Sequence, residues 1–253
     1  MVELPNSPHA VVTGAARGIG RQIALQMTGA GAVVTALGRQ TAALEDLVAH
    51  DVAHSYVTAD VTDQAAVVAA MREAAARQPI DILIANAGAA ESASFAKSDA
   101  ALFRRMMDVN FMGVVHSIQA ALPAMRERPF GRIVVIASTA GLKGYAYVSA
   151  YAAAKHAAIG LVRSLALELA STRITVNAVC PGFTDTDLVA GSLDTIMKKT
   201  GRDRSAAVAE LTKHNPQGRL ISPTEVADTV LWLCGEGAGA VTGQAIAVAG
   251  GEI

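Results

Sequence analysis

The chain has 253 residues, 52% hydrophobic and 17% charged, with a net charge of −1. That length can bury one large core, and the near-zero charge gives no basic footprint for nucleic acid. Lys143, Lys155 and Arg163 break the most apolar stretches before a membrane span of roughly 20 residues accumulates.

Short apolar runs alternate with helical periodicity from one end to the other. In chain order the pattern predicts a strand over His9–Thr13, a helix over Gly18–Gly29, a strand over Ala32–Leu37 and a helix over Thr41–Ala49. A strand over Ser55–Thr58, a helix over Gln64–Arg77 and a strand over Asp81–Ala85 follow. One long helix over Leu102–Arg126 leads to a strand over Gly131–Ala137. A helix over Tyr151–Ala170, a strand over Ile174–Val179, a helix over Pro223–Cys234 and a strand over Gln244–Val248 complete the series. Continuous Val/Ile runs joined by helices imply a parallel sheet covered on both faces. Seven strands in this rhythm give a single α/β domain over 1–253, a doubly wound Rossmann fold. Asp187–Leu220 breaks the rhythm and reads as a helical, polar lid after a strand end.

The residues from Met1 to Pro5 have neither the basic nor the apolar part of an export signal. Cys180 and Cys234 sit in apolar contexts and are expected as buried free thiols, which suits a reducing, cytoplasmic location. The six histidines show no paired ligand spacing, so no metal site is expected.

Thr13-Gly14-Ala15-Ala16-Arg17-Gly18-Ile19-Gly20 closes the first strand and opens the first helix. Gly14 permits a turn with positive φ, Gly18 a close backbone approach, and Gly20 tight helix–strand packing. Free N–H groups at the helix start then favour a pyrophosphate. A glycine triplet alone is weak, but here the strand before it and the helix after it are both in place. An acidic residue usually ends the second strand of such a unit and holds the ribose hydroxyl. Gly38 and Arg39 stand there instead. Arg39, with Arg17 on the glycine turn, either meets a 2′-phosphate, favouring NADP(H) over NAD(H), or is a solvated loop residue. Asp60, at the end of the third strand, either bonds the adenine amino group or caps the next helix.

Tyr151 and Lys155 share one helix face at a spacing of four. A free tyrosine has a pKa of about 10, and an ammonium one turn away would favour its phenolate. Ser138 follows the strand ending at Ala137, where carboxyl ends of strands face the ligand crevice. Asn110 stands inside the long helical pattern, where an amide competes with the backbone and could hold a water linked to Lys155. Each of these residues is common by itself. Their joint order in one Rossmann chain is not.

With those residues in hand, the chain resembles the short-chain dehydrogenase/reductase family over essentially its whole length. The matching positions are Thr13–Gly20, Asn86-Ala87-Gly88, Asn110, Ser138, Tyr151, Lys155 and Pro181-Gly182. The resemblance implies a catalytic tetrad of Asn110, Ser138, Tyr151 and Lys155. It implies cofactor contacts at Gly14, Arg17, Gly18, Ile19, Gly20, Arg39, Asp60, Val61, Asn86, Ala87, Gly88, Pro181, Gly182, Thr184 and Thr186, with Tyr151 and Lys155 also on the nicotinamide side. Ala85 departs from a common Asn and should alter packing alone. A homotetramer, built through the two long central helices and the last strand, is implied as well.

Gly131–Lys143 and Ile174–Gly182 are similar to β-ketoacyl reductases and to 3-hydroxyacyl dehydrogenases. The resemblance therefore implies reduction of a 3-oxoacyl thioester with NADPH. NAD-linked oxidation of a 3-hydroxyacyl or other secondary alcohol is the alternative, and a non-catalytic dinucleotide sensor the remote one. Lys198, Lys199, Arg202, Arg204, Lys213 and Arg219 on the lid either attract CoA or an acidic carrier protein or form a solvated face. Leu142, Tyr145, Tyr147 and Phe183 either line an acyl pocket or belong to core and subunit contacts.

Overall fold

A computed structural model describes residues 4–201 and 203–253. Met1–Glu3 and Arg202 lie outside the described residues, as do the side chains of Thr195, Ile196 and Lys199. The strands are β1 (His9–Thr13), β2 (Val33–Gly38), β3 (Ser55–Thr58), β4 (Ile80–Ala85), β5 (Gly131–Ile136), β6 (Ile174–Pro181) and β7 (Ala245–Val248). They form a seven-stranded parallel sheet in the order β3-β2-β1-β4-β5-β6-β7. The helices are α1 (Gly18–Gly29), α2 (Thr41–Ala49), α3 (Gln64–Arg77), α4 (Ala100–Met107), α5 (Gly113–Arg126), α6 (Ser149–Glu168), α7 (Asp187–Thr200), α8 (Arg204–Thr212) and α9 (Pro223–Cys234).

Both faces of the sheet are buried, which is why the strands read as continuous apolar runs. Side chains alternate by strict period two. Val11, Leu83, Ile133 and Val135 join the core beneath α3, α5 and α6. Val12, Ile82, Ile84 and Val134 join the core beneath α1, α2 and α9. Cys180 and Cys234 are buried free thiols, and burial pushes them up to about 11 and about 12 respectively. Ala85 ends β4 beside Val135, wholly within the core. Among the described residues no helix is long and apolar enough to cross a membrane.

Two expectations need revision. The predicted helix over Leu102–Arg126 is α4 and α5 joined by a π-helical turn, Asp108–Met112, centred on Asn110. The lid is not simply polar. α7 and α8 close over a small core of Val189, Leu193 and Ala207, with Phe183 and Leu220 packed against it. Lys213 is paired with Glu210 at 2.7 Å and Arg219 with Glu225 at 2.6 Å, so these two charges are largely neutralised within the chain. Glu225 also belongs to the capping box of α9 with Ser222. Its hydrogen bonds from Arg219 and the Ser222 backbone hold the carboxyl down at about 2.

Candidate active site

The strand order turns back between β1 and β4, with β2 and β3 running one way and β5, β6 and β7 the other. Ligands of such sheets bind at this switch point, beyond the carboxyl ends of the strands. The sequence-predicted residues gather there.

The glycine turn is cross-braced. Gly14 N donates to Leu37 O at 2.8 Å. Asn86 Nδ2 donates to Thr13 O (2.9 Å) and Gly14 O (3.1 Å), while Thr13 Oγ1 accepts from the backbone N–H groups of Asn86 and Ala87, both at 3.0 Å. Thr13 is a clamp that sequence reasoning missed; its position one residue before the first glycine was the available signal. Gly14 has φ +65°, and a Cβ there would stand 2.8 Å from Ala87 Cα. A Cβ on Gly20 would collide with Gly14 O and Asn86 Nδ2. Gly18 has φ +53°, and a Cβ there would stand 3.3 Å from Thr186 Cγ2, so Thr186 borders the glycine turn. Arg17 occupies the N-cap position of α1 without a capping side-chain bond, and no acidic residue lies in the first turn. By contrast Asp63, Asp99 and Asp203 cap α3, α4 and α8. An uncapped helix start behind a close-packed glycine cradle fits a pyrophosphate.

At the adenosine end, Arg39 lies 3.4 Å from Asp60 in an exposed pair. Asp60 Oδ1 also accepts from the Thr62 backbone N–H (2.9 Å) and hydroxyl (2.8 Å). Burial works to raise the Asp60 carboxyl, and the bonds from Thr62 and Arg39 outweigh it, so it lies below the ordinary carboxylate range. The capping alternative for Asp60 is corrected: Asp63 caps α3, accepting from Ala66 N at 3.0 Å. Val61 is buried against Gly113, and its carbonyl meets His116 Nδ1 at 3.0 Å. Ile19 packs against the core beneath α1.

Past β6, Gly182 N donates to Val248 O (3.0 Å), and the Thr184 hydroxyl turns back onto Gly182 O (3.0 Å). Thr184 is buried and bridges to Ile221, so it braces this loop beside Pro181.

The catalytic candidates converge from α5's entrance, β5 and α6. Asn110 is fully buried, and its amide is spent on backbone. Nδ2 donates to Ala89 O (2.9 Å) and Met106 O (3.0 Å), and Oδ1 accepts from Ala89 N (3.2 Å). The side-chain amide therefore clamps the loop after β4, with both Nδ2 protons engaged. Gly88 brings that loop against the site: a Cβ there would stand 2.8 Å from Asn110 Oδ1 and 3.6 Å from Lys155 Nζ.

Ser138 caps the short 3-10 turn Thr139–Gly141, its Oγ accepting from Ala140 N at 3.1 Å, and it also hydrogen-bonds Tyr151. Lys155 is 4% exposed, donates to Ile136 O at 2.8 Å and stands 5.7 Å from the Tyr151 ring centre. Burial pushes its ammonium down to about 8. Burial also raises the Tyr151 phenol, only partly offset by the bond from Ser138. The phenol is thus held above its ordinary value, not drawn toward the phenolate as the spacing to Lys155 predicts. Desolvation outweighs the hydrogen bond from Ser138 and so favours the protonated phenol.

Around this cluster, Tyr145 meets Phe183 edge-on at 6.2 Å. Tyr147 is 68% exposed at φ +68°, with its carbonyl accepting from Ala93 N at 2.8 Å. Leu142 packs into the sheet core.

A glycine cradle at the switch point and a Ser-Tyr-Lys cluster at the end of β5 define a nucleotide-dependent oxidoreductase. The short chain dehydrogenase pattern matches residues 8–197, and the chain belongs to that family. It is an NAD(P)-dependent enzyme acting on CH–OH/C=O groups. It is 38% identical to the cis-4-hydroxycyclohexanecarboxylate dehydrogenase of Sinomonas cyclohexanicum, over 96% of this chain and 95% of that one. It is 33% identical to the acetoacetyl-CoA reductase of Shinella zoogloeoides, over 96% and 97%. The crystal structure of a tryptophan variant of the actinorhodin polyketide ketoreductase with NADPH superposes with a TM-score of 0.92 at 35% identity, covering 99% of this chain and 98% of that one.

Proposed function

We propose that the chain is an NADPH-linked reductase of 3-oxoacyl thioesters. The observation that carries the chemistry is the half-buried Tyr151 hydrogen-bonded to Ser138 and set one helical turn from Lys155, its phenol raised by desolvation. When bound, the nicotinamide supplies the hydride to the carbonyl carbon. Ser138 and Tyr151 donate hydrogen bonds to the carbonyl oxygen, and Tyr151 gives up its proton as the C–O bond becomes single. Lys155 stabilises the phenolate left behind and holds the nicotinamide ribose hydroxyls. The π-helical turn at Asn110 departs from the ordinary i→i−4 ladder, and its backbone carbonyls hold the water that returns the proton.

Support for the substrate class comes from the acetoacetyl-CoA and polyketide reductases among the relatives. A homotetramer is the assembly this reading implies, and the outward Leu167 of α6, 81% exposed, suits a subunit contact. The cofactor preference rests on Gly38 at the end of β2, where no carboxylate repels a 2′-phosphate, and on Arg17 and Arg39 beside it. The exposed Arg39–Asp60 pair is weak and yields to a phosphate, which carries more charge and bidentate acceptors. A second reading, NAD-linked oxidation of a secondary alcohol, is favoured by that same Asp60, which already neutralises Arg39, and by the cyclohexanecarboxylate dehydrogenase relative.

Initial rates of cofactor oxidation with acetoacetyl-CoA, run with NADPH and with NADH, separate the two. Turnover with NADPH alone supports the thioester reductase; turnover with NADH alone replaces it with the second reading. In the same assay Arg39→Ala should raise KM for NADPH about 10- to 100-fold, the worth of one charge-assisted bond. KM for NADH should move less than threefold. Equal losses on both cofactors would remove Arg39 from the phosphate site.

A further inference from the structure

The segment after β7 folds back over the substrate side of the crevice. Gly250 and Gly251 turn at φ +63° and +91°, and Glu252 N closes the turn onto Ala249 O at 3.2 Å. A Cβ on Gly250 would collide with Asn215 Oδ1, and one on Gly251 would stand 3.4 Å from Pro216. The turn is therefore seated on the corner between α8 and α9, and it delivers Glu252 to the active site.

The Glu252 side chain is only 3% exposed. Oε1 lies 2.7 Å from the Tyr145 hydroxyl and 3.0 Å from Lys143 Nζ. Oε2 faces Gly182, 3.6 Å from where a Cβ would sit. The Tyr145 hydroxyl also lies 2.8 Å from Thr139 Oγ1. It has one proton and a carboxylate can only accept, so Tyr145 donates to Glu252 and accepts from Thr139. The chain Lys143–Glu252–Tyr145–Thr139 thus ends next to Ser138. The Tyr145 ring, set edge-on to Phe183, forms the wall beside Tyr151.

This network fixes the charge of the wall. Glu252 and Lys143 neutralise each other, so a carboxylate on a substrate entering here would lose its water and find no free cation to replace it. We propose that Glu252 is a positioning and specificity residue that selects uncharged carbonyl substrates, esters and thioesters, over those with a free carboxylate. The inference rests on the reading that reduction occurs between Ser138 and Tyr151.

Two matched pairs test it: ethyl acetoacetate against acetoacetate, and methyl 4-oxocyclohexanecarboxylate against its free acid. A carboxylate desolvated in a partly open site without a counter-charge is disfavoured by about tenfold or more. Wild-type kcat/KM should favour the neutral member of each pair by at least that factor. Glu252→Gln keeps an acceptor for Tyr145, removes the charge and releases Lys143. The preference should shrink to threefold or reverse, through a fall in KM for the acid. Glu252→Asp should restore it in part, which a merely structural role would not produce. A preference unchanged within twofold in Glu252→Gln, or equal losses on acid and ester, would overturn the proposal. If the 3-oxo pair is not reduced but the cyclohexanones are, the thioester reading fails and the charge claim is read from the second pair. Calorimetric binding of the four compounds to NADPH-loaded Tyr151→Phe protein reads the same preference without turnover. Binding of none, or equal binding of acid and ester, overturns it.

Discussion

Tyr151→Phe is expected to lower kcat by roughly 10²- to 10⁴-fold, the contribution of a positioned proton donor. The substitution removes one oxygen and little else. The ring stays packed against Leu102, Met106 and Ala150, so the fold and the glycine cradle are untouched. NADPH affinity, measured by fluorescence quenching, should change less than twofold, because the phosphate contacts proposed above lie at the start of α1. KM for the carbonyl substrate should rise only modestly, since Ser138 still donates to its oxygen. A matching fall in kcat and kcat/KM is the signature of an interaction made chiefly in the transition state. Residual turnover above a tenth of wild type would mean that another group supplies the proton, and the assignment of Tyr151 would go with it.

What the chain shows before folding depends on how far apart the interacting groups stand. Tyr151 and Lys155 were legible because both lie on one helix, and the glycine turn because strand, turn and helix are contiguous. The β2 end was legible because a missing carboxylate is visible at a known offset. An amide inside a helix competes with the backbone, and Asn110 stands where the helix is π-wound. Its binding partner was not legible, because Ala89 lies 21 residues away on another loop. Glu252 gave no signal at all: 107 residues separate it from Tyr145, and only the Gly250–Gly251 turn brings them together. The lid's charge admits two readings in the sequence for a related reason. Its basic residues were visible, but the carboxylate that engages Arg219 belongs to the capping box of the next helix. Charge counts along a segment overstate its field when partners fold in from outside it.

Lys155→Met should separate activity from stability in opposite directions. Burial holds the folded ammonium near 8, against an ordinary value of 10.5. Below pH 8 the folded chain carries a charge its surroundings disfavour, at a cost of about 3 kcal/mol. That penalty is full at neutral pH and fades as pH rises from about 8 to 10.5, where the unfolded side chain also loses its proton. Methionine has no charge to bury. It leaves the Ile136 carbonyl without its 2.8 Å donor, which costs about 1–3 kcal/mol. The balance leaves the variant as stable as wild type at pH 7, or a few degrees higher in Tm, with any advantage gone by about pH 10.5. Turnover should nevertheless fall by roughly 10²–10³-fold, as when a preorganised charge is removed from beside the reacting group. The wild-type pH profile carries the same signature. In the reduction direction kcat/KM reports the free enzyme, so it should be level below pH 8 and fall about tenfold per unit above it. In Lys155→Met that alkaline limb should vanish from the remaining activity. A variant that melts well below wild type at pH 7 while keeping its turnover would make Lys155 a strut between α6 and β5, not a partner of Tyr151. A cationic residue retained against its own burial penalty is the pattern expected of a functional group, because a purely structural position would be served better by an apolar side chain of the same length.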